Sequence, residues 1–144
     1  MNVGTESSGI TMDETKSVQY KHYTLSHFKL WKTCNVGCGF GYDEIVGFEA
    51  TWSPPAHFVG WPDETLTFGV TGTNSGDLYF TEDITEVKIR IDTGTFYDHR
   101  DFEYITFKTS SGAEQGIGSE NGSASWETLP GNLIGFHTRY GYYI

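Results

Sequence analysis

EIVGFEATW, residues 44–52, alternates along its length: Val46, Phe48, Ala50 and Trp52 fall on one face of an extended chain. Successive side chains of a strand point to opposite sides, so a period of two marks a strand with one face in a core. The pattern spreads in both directions. Upstream, SVQYKHYT (residues 17–24) and HFKLWKT (27–33) are rich in β-formers. Downstream, EVKIRI (86–91) sets Val87, Ile89 and Ile91 against Lys88 and Arg90, EYITFKT (103–109) pairs Ile105 with Phe107, and LIGFHTRY (133–140) aligns Ile134, Phe136, Thr138 and Tyr140. TLTFGV (65–70) and DLYF (77–80) are shorter runs of the same kind. No window carries a capped apolar stripe at helical spacing. SPP, TGTNSGD, SSG, ENGS and LPGN supply turn chemistry between the runs. Ten or so short strands separated in this way predict an all-β sandwich, barrel or prism. The glycine- and serine-rich stretch 110–125 reads as a short strand between loops.

The bulk numbers fit one domain. A chain of 144 residues buries roughly two thirds of its unfolded surface and folds without metal or disulfide support. Eighteen glycines, only four prolines and 16% aromatic residues suit tight turns and packed strands. The formal charge is −10, and the nine basic residues are scattered, which excludes nucleic acid as a partner and disfavours direct contact with anionic membranes. No apolar run reaches the ~20 residues of a membrane helix. MNVGTESSGI, at the start, lacks the basic and apolar regions of a signal peptide, and residues 1–16 read as a polar, flexible lead to a domain over residues 17–144. Location is left open, with a secreted or extracellular setting preferred. Cys34 and Cys38 enclose NVG; disulfide and free thiols stay open, while a metal would want further ligands nearby. Asn121–Ser123 fits a glycosylation acceptor, a pattern common by chance.

Immediately before the first alternating run the chain reads GFGYD, within which Gly39, Phe40, Tyr42 and Asp43 form Gly-x-x-x-Asp. GTFYD repeats it as Gly94, Phe96, Tyr97 and Asp98, and GYYI gives Gly141, Tyr142 and Tyr143 with Ile144 next. The glycines are 55 and 47 residues apart, close to one third of the chain, which suggests an internal threefold repeat. Glycine lets backbone N–H groups approach a ligand closely. An ionised Asp accepts hydrogen bonds from two neighbouring hydroxyls. An aromatic ring offers an apolar wall. Together they make a shallow site for a neutral polyol, although any single copy is also an ordinary turn.

GFGYDEIVGFEATW, DETLTFG, ITEVKIRI, YITFKTSSGAEQGIG and LIGFHTRYGYYI together resemble the jacalin-related lectins, and also the lectin-like modules of aerolysin-type pore-forming proteins. The resemblance covers residues 28–144. It implies an all-β fold, the β-prism I, with three Greek-key-like four-stranded sheets around a pseudo-threefold axis. It further implies carbohydrate-binding sites for neutral sugars, of mannose/glucose or galactose type, at the Gly-x-x-x-Asp turns. Asp43 runs directly into its strand as the family pattern requires. HRDFE intervenes between Asp98 and YITF, and the family's last strand, opened by an Asp, is missing after Ile144. Asp43 is therefore the leading candidate, with Gly94–Asp98 second and Gly141–Tyr143 a remnant. Glycans or glycoproteins are the expected partners, membranes are reached only through surface glycans, and self-association is open. No cofactor is expected.

Other readings remain beside this one. The chain could be the targeting module of a pore-forming toxin, or a protein-interaction domain that kept the fold without sugar binding. Trp31, Trp52, Trp61 and Trp126 are expected mostly in the core or on a sheet face, with Trp61, in GWPDE, exposed. The five histidines show no metal spacing, and His99 sits in a charged cluster with Asp98, Arg100 and Asp101. Asp43 and Glu44 face opposite ways in a strand and cannot cooperate on one bond, and no nucleophile elbow or phosphate loop occurs. An enzyme is not expected.

Overall fold

The computed structural model describes residues 12–19, 22–34, 43–92, 102–118, 124–131, 133 and 135–140. Among them there is no helix, and ten strands form: β1 (Met12–Ser17), β2 (Thr24–Cys34), β3 (Asp43–Ser53), β4 (Glu64–Gly69), β5 (Asn74–Tyr79), β6 (Ile84–Asp92), β7 (Phe102–Thr109), β8 (Glu114–Gly118), β9 (Ala124–Pro130) and β10 (Gly135–Tyr140). They make two four-stranded antiparallel sheets, ordered β4-β3-β2-β5 and β8-β7-β6-β9, and a β1–β10 ladder. In each larger sheet three consecutive strands meander and the fourth returns beside the first, which is a Greek key. The second sheet repeats the first, four strands later. The expected all-β architecture is present; where a third four-stranded sheet was expected, the described residues contribute the two-stranded ladder.

The alternation in β3 explains why the core lies where it does. Val46, Phe48, Ala50 and Trp52 are all buried. Ala50 pairs across to Phe28 and Leu66, and Phe28 pairs on to Leu78, so one inward row crosses the whole sheet. Phe28 also meets Phe107 of the other sheet, with ring centroids 5.0 Å apart, and Phe107 meets Phe80 at 5.1 Å. Aromatic pairs at this spacing add about 0.5–1.5 kcal/mol beyond the area they bury. Between Val46 and Phe48, on the opposite face of the strand, Gly47 is a glycine for a steric reason. A Cβ there would lie 2.2 Å from the Val70 carbonyl oxygen and 2.8 Å from that of Phe68. These neighbours are backbone, and Val70 N–H donates to the Val46 carbonyl at 3.0 Å, so they cannot rotate away. Gly47→Ala is expected to cost about 1–3 kcal/mol through overpacking, read as a lower urea midpoint with unchanged m-value.

Two segments differ from a reading by local pattern. Within the stretch read as a polar lead, Met12–Ser17 forms β1, paired in register with β10 from Met12↔Tyr140 to Ser17↔Gly135. MDETKS has no apolar alternation, so nothing local announces a strand whose order comes from backbone pairing with a distant segment. Nor is the 17–24 run one strand. Ser17 ends β1 and Thr24 begins β2, while Val18 and Tyr23 between them are buried in the core. Tyr23 Oη donates to the Pro62 carbonyl at 3.1 Å, so its β-forming side chain anchors a connection.

A surface turn next to β6 adds a pH-dependent contact. Hydrogen bonds from the Ser111 and Thr109 side chains, and from the Ser111 N–H, hold the Glu82 carboxyl below its ordinary range. A depressed carboxyl stabilises the fold fully above its unfolded pKa, and that contribution is lost as pH falls through the folded value. Glu82→Gln is expected to flatten this acid-side slope slightly, measured by urea unfolding across pH 3 to 7.

Candidate functional site

Three equivalent strands each lead the chain into one of the two Gly-x-x-x-Asp segments or the Gly-Tyr-Tyr segment. Each segment follows an equivalent strand: β2, β6 and β10 precede residues 39–43, 94–98 and 141–144 respectively. Equivalent too are the strands that return beside them, β5 beside β2, β9 beside β6 and β1 beside β10.

Cross-links between the sheets fix the relative sense. Near the end of β2, Lys32 Nζ donates to the Gly118 carbonyl. Gly118 pairs with Tyr104, and Tyr104 with Arg90 near the end of β6. The ends of β2 and β6 therefore share a pole. At the other pole, Trp52 Nε1 donates at 2.9 Å to the carbonyl of Leu133, two residues before β10 begins. Trp52 pairs with Leu25 at the start of β2. So β2, β6 and β10 start at one pole and end at the other, and all three motif segments follow from that second pole.

Of the candidate residues, Asp43 is described in its backbone alone: it opens β3, opposite Cys34. Gly39, Phe40, Tyr42, Gly94, Phe96, Tyr97, Asp98, Gly141, Tyr142 and Tyr143 lie outside the described residues, as do Cys38, His99 and Asn121. β7 begins at Phe102, so three residues, His99, Arg100 and Asp101, stand between Asp98 and its strand in the sequence, where Asp43 is separated by none.

On the faces leading to that pole, two tryptophans differ from one another. Trp31, in β2, is partly covered, with Lys29 Nζ 5.8 Å from its ring centre. Trp126, on edge strand β9, is 50% exposed and meets Tyr104 edge-on at 6.1 Å. Trp126 pairs with Arg90, which pairs with Tyr104, so the three share the outer face. Sequence alternation alone did not reveal Trp126 as exposed, because among the described residues β9 pairs on one side, with β6. Trp61 is exposed as expected, at 42%. Among the described residues no group of three or more His, Cys, Asp or Glu side chains is placed to hold a metal ion.

No protein-family profile and no curated protein matches the chain. Solved structures do. The Calystegia sepium agglutinin crystal structure aligns over 100% of this chain and 91% of its own, with TM-score 0.60 at 18% identity. A mannose-specific jacalin-related lectin from Morus nigra, in complex with mannose, aligns over 97% of this chain and 83% of its own, with TM-score 0.62 at 18% identity. The artocarpin–mannopentose complex covers 95% and 93%, with TM-score 0.56 at 16% identity. At these identities the likeness is one of fold, and it spans the whole length: the chain is an all-β domain with the β-prism fold of the jacalin-related lectins.

Proposed function

We propose that this domain binds neutral carbohydrate, without chemistry, at the pole where β2, β6 and β10 end. The observation that carries this is the common direction of those three strands, each followed by a Gly-x-x-x-Asp or Gly-Tyr-Tyr segment. The shared fold supports it, since the neighbours' structures hold mannose, mannopentose and a bisected glycan. Asp43 is the first acceptor for sugar hydroxyls, because its strand begins at that residue, with Gly39, Phe40 and Tyr42 shaping the turn. Asp98, with Gly94, Phe96 and Tyr97, forms the second site, and Gly141, Tyr142 and Tyr143 line the third position. A single shallow site of this kind binds at about millimolar Kd, so useful retention comes from several sites or copies. A glycan array probed with the full chain tests the reading. Retention of one class, mannose/glucose or galactose, is the expected result; a folded chain that retains no glycan would sink it.

A further inference from the structure

The pole where β2, β6 and β10 start holds a cavity of about 470 Å³. Three connections and the lead into β10 converge on it. His22, Tyr23, Thr24 and Leu25 come from the entry to β2, Pro54, Pro55 and Ala56 from the β3–β4 connection, Thr81, Asp83 and Ile84 from the entry to β6, and Leu133 from the lead into β10. Its walls are held from outside. Trp52 Nε1 pins the Leu133 carbonyl, Phe58 N–H closes a turn on the Pro55 carbonyl at 2.9 Å, and Ser110 N–H donates to the Asp83 carbonyl at 2.9 Å. Tyr23, Leu25 and Ile84 are buried and give it an apolar floor.

The β3–β4 connection carries rings beside this cavity. The His22 ring packs on Phe58 at 4.9 Å and approaches Trp61 at 6.3 Å, and Phe58 meets Trp61 at 5.2 Å. Gly60, at φ +83°, turns the loop back between Val59, 88% exposed, and Trp61. Two exposed large apolar side chains therefore stand within three residues, and Trp61 approaches the His22 ring that lines the cavity.

We infer that this cavity, with the His22–Phe58–Trp61 ring cluster at its edge, is a second carbohydrate contact, at the pole where β2, β6 and β10 start. No Lys or Arg lines it, and the chain carries −10, so an anionic ligand is disfavoured. Thr24, Thr81, Asp83 and His22 provide hydroxyl, carboxylate and imidazole groups, while Leu25, Ile84 and Leu133 provide an aliphatic side. A ligand served by both has hydroxyl groups on one edge and C–H groups on a face, as a pyranose has. Two contacts at opposite poles would let one domain bridge two glycans. This inference rests on the function proposed above for the class of ligand only, and shares no residue with it.

The test is a ¹⁵N-resolved NMR titration of the full chain with methyl α-mannoside and with methyl β-galactoside, repeated for Asp83→Asn and Trp61→Ala. Both substituted residues are exposed, so the fold should persist. One glycoside is expected to shift the amides of His22, Thr81, Asp83 and the Trp61 indole, and each variant to weaken that binding about tenfold, the loss of one good polar or ring contact. Shifts confined to residues around Asp43 would overturn the cavity site and leave the proposed function standing. Shifts confined to the cavity would do the reverse. Silence at both poles overturns both. A response of the cavity to tetramethylammonium but to neither glycoside would overturn the saccharide assignment in favour of a cation.

Discussion

Trp52→Ala is expected to lower the free energy of unfolding by about 3–5 kcal/mol, the range for removing a buried Trp or Phe side chain. Trp52 is 0% exposed and is the largest of the fully buried side chains. It ends the inward row of β3, and its Nε1 is the described hydrogen-bond link from the four-stranded sheet to the Leu133 carbonyl that precedes β10. The substitution thus opens a void and takes away a carbonyl's donor at once. Trp52→Phe separates the two effects. It keeps most of the ring volume, loses the N–H, and should cost about 1–3 kcal/mol, mainly the unsatisfied carbonyl. Urea unfolding followed by far-ultraviolet circular dichroism measures both. Equal losses in the two variants would mean that the hydrogen bond, and not the volume, dominates; no loss in either would contradict the packing described. Because Leu133 also lines the polar cavity, Trp52→Phe is further expected to weaken any ligand held there while leaving the opposite pole unchanged.

The same residue shows what could be read from the sequence and why. Strands with one buried face announce themselves: Phe28 and Leu30 in β2, Ala50 and Trp52 in β3, and Ile105 and Phe107 in β7 all alternate with half-exposed neighbours. β1 does not, because MDETKS carries no apolar period and is a strand only through its register with β10. The repeat of Gly-x-x-x-Asp was visible, but the strand order around it was not. Only the pairing of β5, β9 and β1 with β2, β6 and β10 shows that three segments scattered through the chain leave equivalent strands. The cavity was invisible for a related reason. It is assembled from residues 22–25, 54–56, 81, 83, 84 and 133, none of which forms a local pattern. The one signal was GWPDE, where a tryptophan between a glycine and a proline has no strand to pack into.

Asp43→Ala is expected to abolish glycan retention by the full chain while leaving it folded, and Asp98→Ala to reduce retention only in part. The asymmetry follows from where the strands begin. Asp43 is itself the first residue of β3, paired in the ladder with Cys34, so its backbone is positioned by the sheet. Pairing uses the main chain, and an alanine at the end of a strand keeps it. Asp98 precedes β7 by four positions in the sequence, with His99, Arg100 and Asp101 between, and does not run directly into its strand as Asp43 does. A carboxylate that accepts from two hydroxyls makes charged hydrogen bonds of about 1.5–3 kcal/mol each, and losing them carries a millimolar site beyond detection. Asp43→Asn isolates the charge: it retains one acceptor oxygen and the shape, and should bind between wild type and alanine. Isothermal titration with the glycan class found on the array, alongside circular dichroism of each variant, gives the order. If Asp98→Ala abolished binding and Asp43→Ala did not, direct entry into a strand would not be what positions the acceptor, and the second turn would be the principal site.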